Sequence, residues 1–231
     1  MASSNAQSCI AFIGGGNMAG AIIGGLVLWA VKPQAFRDAA HAAGPFTRKA
    51  LHLSVAAGIR SDSIAHWIGT ERVVRSMPNT PALVGKGMTA LFARPAVSAE
   101  DKQRVEHVVA TTGDFLWVGA EADLDAVTAL SGSGPAYVFF FLEAMTQAGV
   151  EMGLPRDQAY RLAVGTFAGS SELARASGDP PEALRQRVTS KGGTTHAAIT
   201  SMERDDMKAL FVKALHAARK RAQELGDEFG R

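Results

Sequence analysis

The sequence has few of the residues that mark several common classes of protein. Cys9 is its only cysteine, so no intramolecular disulfide can form, as is usual for proteins of a reducing cytoplasm. Its six histidines show no metal-ligand spacing, and there is no cysteine pair that could complete a metal site. We therefore predict a cytoplasmic protein without a bound metal.

Long apolar runs and clustered charges are also scarce. The longest apolar run, Ala136–Ala148, contains Glu143 and Gln147 and is too short to span a bilayer. Residues Met1–Ser8 lack the basic and apolar regions of a signal peptide. The formal net charge is +2, and no basic run is interleaved with aromatic residues, so we expect neither a nucleic-acid nor a membrane partner. A chain of 231 residues that is 47% hydrophobic can still bury a sizeable core.

A short apolar strand near the N-terminus runs directly into a glycine-rich turn. Cys9–Ile13 is followed by Gly14-Gly15-Gly16-Asn17-Met18-Ala19 and then by helical residues. In a dinucleotide-binding turn, the first glycine allows the tight turn and the second lets the pyrophosphate approach the helix N-terminus. The alternative is a glycine-rich strand–helix connection that binds nothing.

Strands and helices alternate up to about Gly119, and only helices follow. This pattern predicts an α/β Rossmann-like, doubly wound domain followed by an all-α C-terminal domain, with boundaries at 1–119 and 120–231. Further strands are predicted at 28–33, 51–58, 72–77, 88–93 and 115–118. Helices are predicted at 35–43, ended by Gly44-Pro45, and at 64–68, 99–111, 121–130, 136–152, 158–177 and 205–225. A break at Ser131–Pro135 is predicted after the helix at 121–130.

A segment of the dinucleotide fold is missing near Val27 and Leu28. The first helix ends at Gly24–Val27 and the next buried strand begins at once, with no second strand and no second helix between them. Those elements would take about 35–45 residues. Either the numbering closes over a segment that the protein has, in which case the Cα atoms of 27 and 28 would lie far more than ~3.8 Å apart, or the segment is deleted.

Ligands of doubly wound sheets bind beyond the carboxyl ends of the strands. Four strand ends are therefore candidates: Gly14–Met18, Val31-Lys32-Pro33, Ala56-Ala57-Gly58 and Pro78-Asn79-Thr80. Lys32 could be a cation on the cofactor side or a solvated loop lysine. The later turn Ser131-Gly132-Ser133-Gly134 lies between two predicted helices, which favours close packing or backbone contact with a ligand over a nucleophilic serine.

The stretch Val188–Thr195 places two adjacent glycines among hydroxyl groups just before an amphipathic helix. Unpaired N–H groups at a helix N-terminus attract anions, and glycine lets an anion come close. This stretch is a candidate cradle for a carboxylate or a phosphate. The plainer interpretation is a turn in which a threonine caps the helix.

Taken in order, these motifs resemble pyrroline-5-carboxylate reductases. The resemblance covers the chain apart from the missing segment. It is strongest from Pro181 to Glu203, where the family signature is matched by Leu184, Val188-Thr189-Ser190, Gly192-Gly193, Thr195, Ala198-Ile199 and Met202-Glu203.

The resemblance implies reduction of 1-pyrroline-5-carboxylate to L-proline, the last step of proline biosynthesis, with NADPH or NADH. It implies a homodimer, or a higher oligomer such as a decamer. The helix Ala136–Met152 is apolar on nearly all faces, so we expect it to be buried either within its own domain or between subunits. Burial between subunits is consistent with such an oligomer. The implied cofactor-binding residues are Ile13, Gly14, Gly15, Gly16, Asn17, Met18, Ala30, Val31, Lys32, Pro33, Ala56 and Ala57. The implied substrate-binding residues are Ser190, Gly192, Gly193, Thr194 and Thr195, with Thr195 as the catalytic hydroxyl at the ring nitrogen.

Two alternatives remain at this point. One is another two-domain imine or β-hydroxyacid dehydrogenase, which would rely on a Lys, Asp or Tyr that we do not see clearly placed here. The other is a non-catalytic, cofactor-binding relative, which a true deletion would favour. Since the missing segment would read the adenosine ribose, the sequence does not decide between NADPH and NADH.

Overall fold

The structure, a computed structural model, describes residues 10–13 and 25–230, the first four by their backbone alone. The described residues form two compact units. One contains the described residues up to Pro135 together with those from His216 to 230, and the other contains Ala136–Leu215. The division at Gly119, which rests on where strands give way to helices, stays a prediction.

The first unit is built on a six-stranded sheet whose strands lie in chain order, β1 to β6. Strands β1 to β4 are parallel, β5 is antiparallel to β4, and β6 is parallel to β5. The strands are β1 (Ile10–Ile13), β2 (Leu26–Trp29), β3 (Leu51–Ser54), β4 (Val73–Met77), β5 (Gly87–Ala93) and β6 (Gly113–Trp117).

Helices cover both faces of this sheet. Helices α1 (Pro33–Thr47) and α2 (Ser61–Ile68) pack with Val27 and Trp29 on one face. Helix α3 (Ala99–Val109) packs with Leu51 and Leu53 on the other. Alternate residues of a strand point to opposite faces, which is why neighbours in one strand belong to different cores. The predicted α/β, doubly wound class is thereby confirmed.

The rest of the described chain is helical, as predicted. A short helix α4 (Asp123–Val127) continues through a π-helical turn, Thr128–Gly132. The remaining helices are α5 (Gly134–Glu151), α6 (Arg156–Ser177), α7 (Pro181–Arg187), α8 (Thr194–Arg204) and α9 (Met207–Phe229). A 3-10 helix, Thr80–Val84, follows β4. Within the described ranges, no helix combines the length and apolarity needed to cross a membrane.

The expectation for Val27 and Leu28 is corrected by strand β2. Val27 and Leu28 are consecutive residues of one strand, which pairs with Ala11 and Phe12 on one side and with His52 and Leu53 on the other. A gap in the numbering there is therefore wrong, and so is the assignment of Leu26 and Val27 to a helix end. The missing segment must precede Leu26.

The predicted stop of the first sheet helix at Gly44-Pro45 is also wrong, because α1 runs on to Thr47. Gly44 lets α1 approach α2 closely, since a Cβ there would lie 3.2 Å from the Ile68 backbone. Pro45 forfeits one hydrogen bond of the helix. The tight α1–α2 packing, with Phe36 and Ala40 fully buried, offsets that loss.

Candidate functional site

The carboxyl ends of four parallel strands share one edge of the sheet, where ligands of such sheets bind. Ile13 ends β1 at this edge. Gly14, Gly15, Gly16, Asn17 and Met18, the predicted pyrophosphate turn, lie outside the described residues. The roles given to these residues stay predictions.

After β2, residues Ala30–Pro33 lead into α1. Ala30 and Lys32 are exposed, and Val31 and Pro33 are half-buried. Lys32 occupies the N-cap of α1 in an extended conformation and makes no side-chain cap. The helix therefore begins at this edge with N–H groups that no capping side chain takes up.

After β3, two hydroxyl groups fix the path of the chain. The Ser54 hydroxyl accepts a hydrogen bond from the Ala56 N–H at 3.2 Å, and the Ser76 hydroxyl donates to the Ser54 carbonyl at 3.2 Å. Ala56 is buried and Ala57 is half-buried. Gly58 has φ +76°, and a Cβ there would lie 3.3 Å from Leu225 of α9, so this turn needs glycine.

After β4, Asn79 ties the strand end to the π-helical turn. Its side-chain N–H₂ donates to the carbonyl and to the hydroxyl of Ser131, at 3.3 and 3.2 Å. Its side-chain oxygen accepts the Met88 N–H at 2.9 Å. A Cβ on Gly132 would lie 2.5 Å from the Met77 methyl.

The break predicted at Ser131–Pro135 lies at Ser133, a bend between the π turn, which ends at Gly132, and α5, which begins at Gly134. Close packing, one of the two roles expected for this segment, is what Gly132 provides. We did not predict the bridging role of Asn79. An asparagine between prolines just after a buried strand was the available signal, since such a side chain can pair with nearby backbone.

In the second unit, the predicted anion cradle, Val188–Thr195, consists of the loop between α7 and α8 and the first two residues of α8. We call it the signature loop, because it lies within the stretch that resembles the family signature. Gly192 has φ +77°, and Gly193 is the N-cap of α8 with no side-chain cap. A Cβ on Gly193 would lie 2.8 Å from the Ser190 hydroxyl oxygen. Glycine is favoured at Gly192 by the backbone conformation, and at Gly193 because a larger residue would have to displace the Ser190 side chain.

Some backbone N–H groups of this loop donate hydrogen bonds within the protein, and others precede the hydrogen-bond ladder of α8. The Gly193 N–H donates to the Ser190 carbonyl at 3.0 Å, and the first N–H of the α8 ladder is that of Ala197. The N–H groups of Thr194 and Thr195 precede that ladder and lie where a helix favours an anion. Thr194 and Thr195 are exposed, and Gly193 is half-buried.

An apolar cavity of about 430 Å³ lies within the second unit. Phe141, Ile199, Met202 and Phe211 are among its lining residues, and the ring of Phe211 makes edge contacts with those of Tyr137 and Phe141. An ion pair between Arg185 and Glu203, 3.3 Å long, joins α7 to α8 beside it. The sequence did not predict this cavity, because its walls come from four helices.

The structure assigns the predicted site residues to two groups. Ser190 and Gly192–Thr195 lie in the second unit, whereas Ile13, Ala30–Pro33 and Ala56-Ala57 lie in the first. In the part of the chain that the structure describes, no cluster of three or more His, Cys, Asp or Glu side chains could hold a metal ion.

Comparison with known proteins shows the family to which this chain is similar. Residues 121–225 match the family model for pyrroline-5-carboxylate reductase dimerisation. A pyrroline-5-carboxylate reductase of Pseudomonas aeruginosa is 39% identical over 96% of this chain and 98% of its own length. One of Pisum sativum is 39% identical over 87% of this chain and 73% of its own length.

Solved structures that resemble this chain include members of the same family. The pyrroline carboxylate reductase of Plasmodium falciparum, solved with NADP bound, is 32% identical with a TM-score of 0.81. That of Coxiella burnetii is 38% identical, also with a TM-score of 0.81. Each match covers 87% of this chain, and it covers 77% and 75% of the respective relative.

The alignment with the Pseudomonas relative is also longer than the part of this chain that it covers. It has 267 positions, whereas 96% of 231 residues is about 222, so about 45 positions face a gap in this chain. The Pisum alignment spans 201 positions, which is 87% of this chain and leaves about 30 residues outside it. Sequence, fold and signature loop agree, and the chain belongs to the pyrroline-5-carboxylate reductase family.

Proposed function

We propose that this chain reduces 1-pyrroline-5-carboxylate to L-proline in the cytoplasm, with NADPH or NADH as the cofactor. The observation that carries the proposal is the signature loop, which ends at a helix N-terminus without a capping side chain. The 39% identity to the pyrroline-5-carboxylate reductase of Pseudomonas aeruginosa, over nearly the whole of both chains, supports the proposal.

The substrate carboxylate would bind at the start of α8. The N–H groups of Thr194 and Thr195 would donate to it, and the nearby Ser190 hydroxyl would add a third donor. Because the Gly193 N–H already donates to Ser190, Gly193 serves by having no side chain. An anion at such a position gains from the partial positive charge of the helix N-terminus.

Thr195 would place its hydroxyl at the ring nitrogen of the substrate. The cyclic imine is activated by protonation, and the product amine needs a hydrogen-bond partner. A positioned hydroxyl can supply that partner without a strong general acid, because orientation alone lowers much of the barrier.

The nicotinamide side of the cofactor fits the described strand ends. Ala30, Ala56 and Ala57 are small, and they follow adjacent parallel strands at the ligand-binding edge. When bound, the reduced nicotinamide supplies the hydride. Lys32, exposed at the same edge, keeps the two roles that the sequence left open.

The active form would be a homodimer or a higher oligomer such as a decamer. Helix α5 supports this, because Phe139 and Phe140 are more than half exposed within one chain and lie in the segment that matches the dimerisation model. Burial of α5 inside its own unit, one of our two expectations for this helix, is therefore wrong. Burial between subunits is the alternative that we keep.

The test compares three variants of the full chain. Thr195→Val keeps the shape and removes the hydroxyl, so we expect kcat/KM for 1-pyrroline-5-carboxylate to fall at least about 100-fold with the cofactor Kd unchanged. Thr195→Ser should stay within about fivefold of the native chain.

The matched control is Thr200→Val, at an exposed threonine of the same helix. This variant should retain native kinetics. If Thr195→Val and Thr200→Val behave alike, or if the native chain gives no proline with any reduced nicotinamide cofactor, the proposal is wrong.

A further inference from the structure

The connection between β1 and β2 is too short for a complete dinucleotide site. Ile13 ends β1 and Leu26 begins β2, so residues 14–25 are the whole connection. The two strands are adjacent and parallel, and a crossover between such strands needs about a dozen residues. A connection of this length leaves no room for the about 35–45 residues that a further strand, a further helix and their loops would take.

The sheet itself shows what this shortness removes. In a Rossmann sheet, strand 1 is central, with strands 2 and 3 on one side and strand 4 on the other. Here β1 lies at the end of the order β1 to β6, and β2 is its single partner among residues 10–13 and 25–230. The side of β1 where a second strand would present the residue that reads the adenosine ribose has no strand in the described chain.

The size of the deletion agrees with this picture. The relative from Pseudomonas has about 45 positions that this chain lacks, close to the about 35–45 residues needed for a strand, a helix, the next strand's start and their loops. By contrast, the strand ends that would face the nicotinamide are retained at Ala30–Pro33 and Ala56-Ala57. The described strand ends thus fit the nicotinamide half of the cofactor. No strand in the described residues is placed to bind the adenosine half.

We propose that this chain recognises the nicotinamide mononucleotide half of its cofactor and has lost the subsite for the adenosine half. It therefore does not distinguish NADPH from NADH. It binds reduced nicotinamide mononucleotide about as tightly as either dinucleotide. This inference rests on the proposed function only for the class of cofactor.

Binding to the full native chain is the first test, measured by calorimetry with NADPH, NADH and reduced nicotinamide mononucleotide. We expect three Kd values within about threefold of one another. A preference of tenfold or more for either dinucleotide, over the other or over the mononucleotide, would overturn the inference. So would the failure of all three to bind.

A graft variant tests the cause. The additional segment of about 45 residues from the Pseudomonas relative is inserted between Gly25 and Leu26, so that β2 stays intact. We expect NADPH to bind at least tenfold more tightly than to the native chain, with the mononucleotide Kd unchanged. An unchanged NADPH Kd in a folded graft would contradict the inference. If the graft does not fold, the three Kd values of the native chain still decide.

These measurements separate the inference from the proposed function. The Kd ratios need no turnover, whereas the proposed function is judged by proline formation and by Thr195. Equal Kd values without proline formation would refute the function alone. Proline formation with a strong preference for one dinucleotide would refute the inference alone.

Discussion

The two units use their apolar side chains in opposite ways. In the first unit, large residues such as Trp29, Phe36 and Leu91 are fully buried in two cores beside the sheet. In the second unit, the buried hydrophobic residues are Leu142, Ala159 and Ala163. Exposed residues of the second unit include Phe139, Phe140, Met152, Tyr160, Leu162 and Leu173.

This difference teaches where each unit gets its stability. A soluble monomer rarely exposes so many large apolar residues in one region, and such surfaces mark protein–protein interfaces. The first unit can stabilise itself through its own cores. The second unit lies wholly within the match to the dimerisation model, and its exposed apolar residues support our proposal that it pairs with a second copy.

The largest effect is expected where a charge is placed among the exposed apolar residues of the second unit. Phe140 is 66% exposed on α5, and Phe46 is 69% exposed on α1. Phe140→Asp should weaken self-association at least about 100-fold, or about 3 kcal/mol, because it removes apolar burial and adds a charge at the interface. Sedimentation of the two variants checks this.

Phe46→Asp is the matched control, since it makes the same change at equal exposure in the first unit. It should sediment as the native chain does. Equal dissociation by both variants would show that the exposed residues of α5 are not special.

A second prediction concerns a buried histidine in the first unit. The His52 Nδ1 accepts a hydrogen bond from the Trp29 Nε1–H at 2.9 Å, which leaves the proton on Nε2, 2.9 Å from the Thr47 carbonyl. A charged ring would turn Nδ1 into a second donor facing Trp29. Burial, opposed by the Thr47 hydrogen bond and aided by the charge of Arg72, lowers the pKa of His52 from 6.5 to about 4.

The sign follows from the proton balance. Below pH 6.5 the unfolded chain takes up a proton at His52 that the folded chain refuses until about pH 4, so stability falls as the pH falls through this window. The loss should reach about 3 kcal/mol. Urea unfolding at pH 7 and pH 4 should show that loss in the native chain, and His52→Gln should lack it. An equal loss in both chains would exclude His52 as the cause.

Sequence patterns predicted the parts of the fold in which local and tertiary preferences agree. The strands near Val73 and Met88 and the helices near Ala99 and Gln158 were placed within a few residues. The helix stop at Gly44-Pro45 was wrong because Gly44 packs against the Ile68 backbone, a contact between elements that no local pattern contains.

The site was predicted to a similar extent, and for similar reasons. The signature loop was visible because glycine and hydroxyl residues at a helix start have a local meaning. The bridge from Asn79 to Ser131 joins residues 52 positions apart, so its partner could not be named from spacing. The missing segment was visible as an absent turn, but placing it before Leu26 required the strand pairing of β2.

A third, smaller effect concerns the hydrogen bonds that the Glu121 carboxylate accepts in the first unit. The Glu121 carboxylate accepts from the Ser61 N–H at 2.6 Å, from the Ser61 hydroxyl at 2.5 Å and from Arg75 at 2.7 Å. Glu121→Gln should cost about 2 kcal/mol, because it removes the charge at the start of α2 and from a mostly buried arginine.

Glu100→Gln is the control, since Glu100 pairs with Arg104 on the exposed face of α3. It should change the unfolding free energy by less than about 0.5 kcal/mol. Urea unfolding of both variants measures the two costs. If they are equal, the buried network adds no more than a surface pair.

The smallest stability effect compares one glycine from each unit. Gly85 and Gly192 have φ values of +68° and +77°, and a Cβ on either would meet nothing within 4 Å. Alanine should therefore cost about 1 kcal/mol at each position through backbone strain alone. Their effects on catalysis should differ, because Gly192 shapes the loop that we assign to the substrate carboxylate. We expect Gly192→Ala to raise the KM for 1-pyrroline-5-carboxylate several-fold while Gly85→Ala leaves it unchanged, and equal KM values would remove the loop around Gly192 from the substrate site.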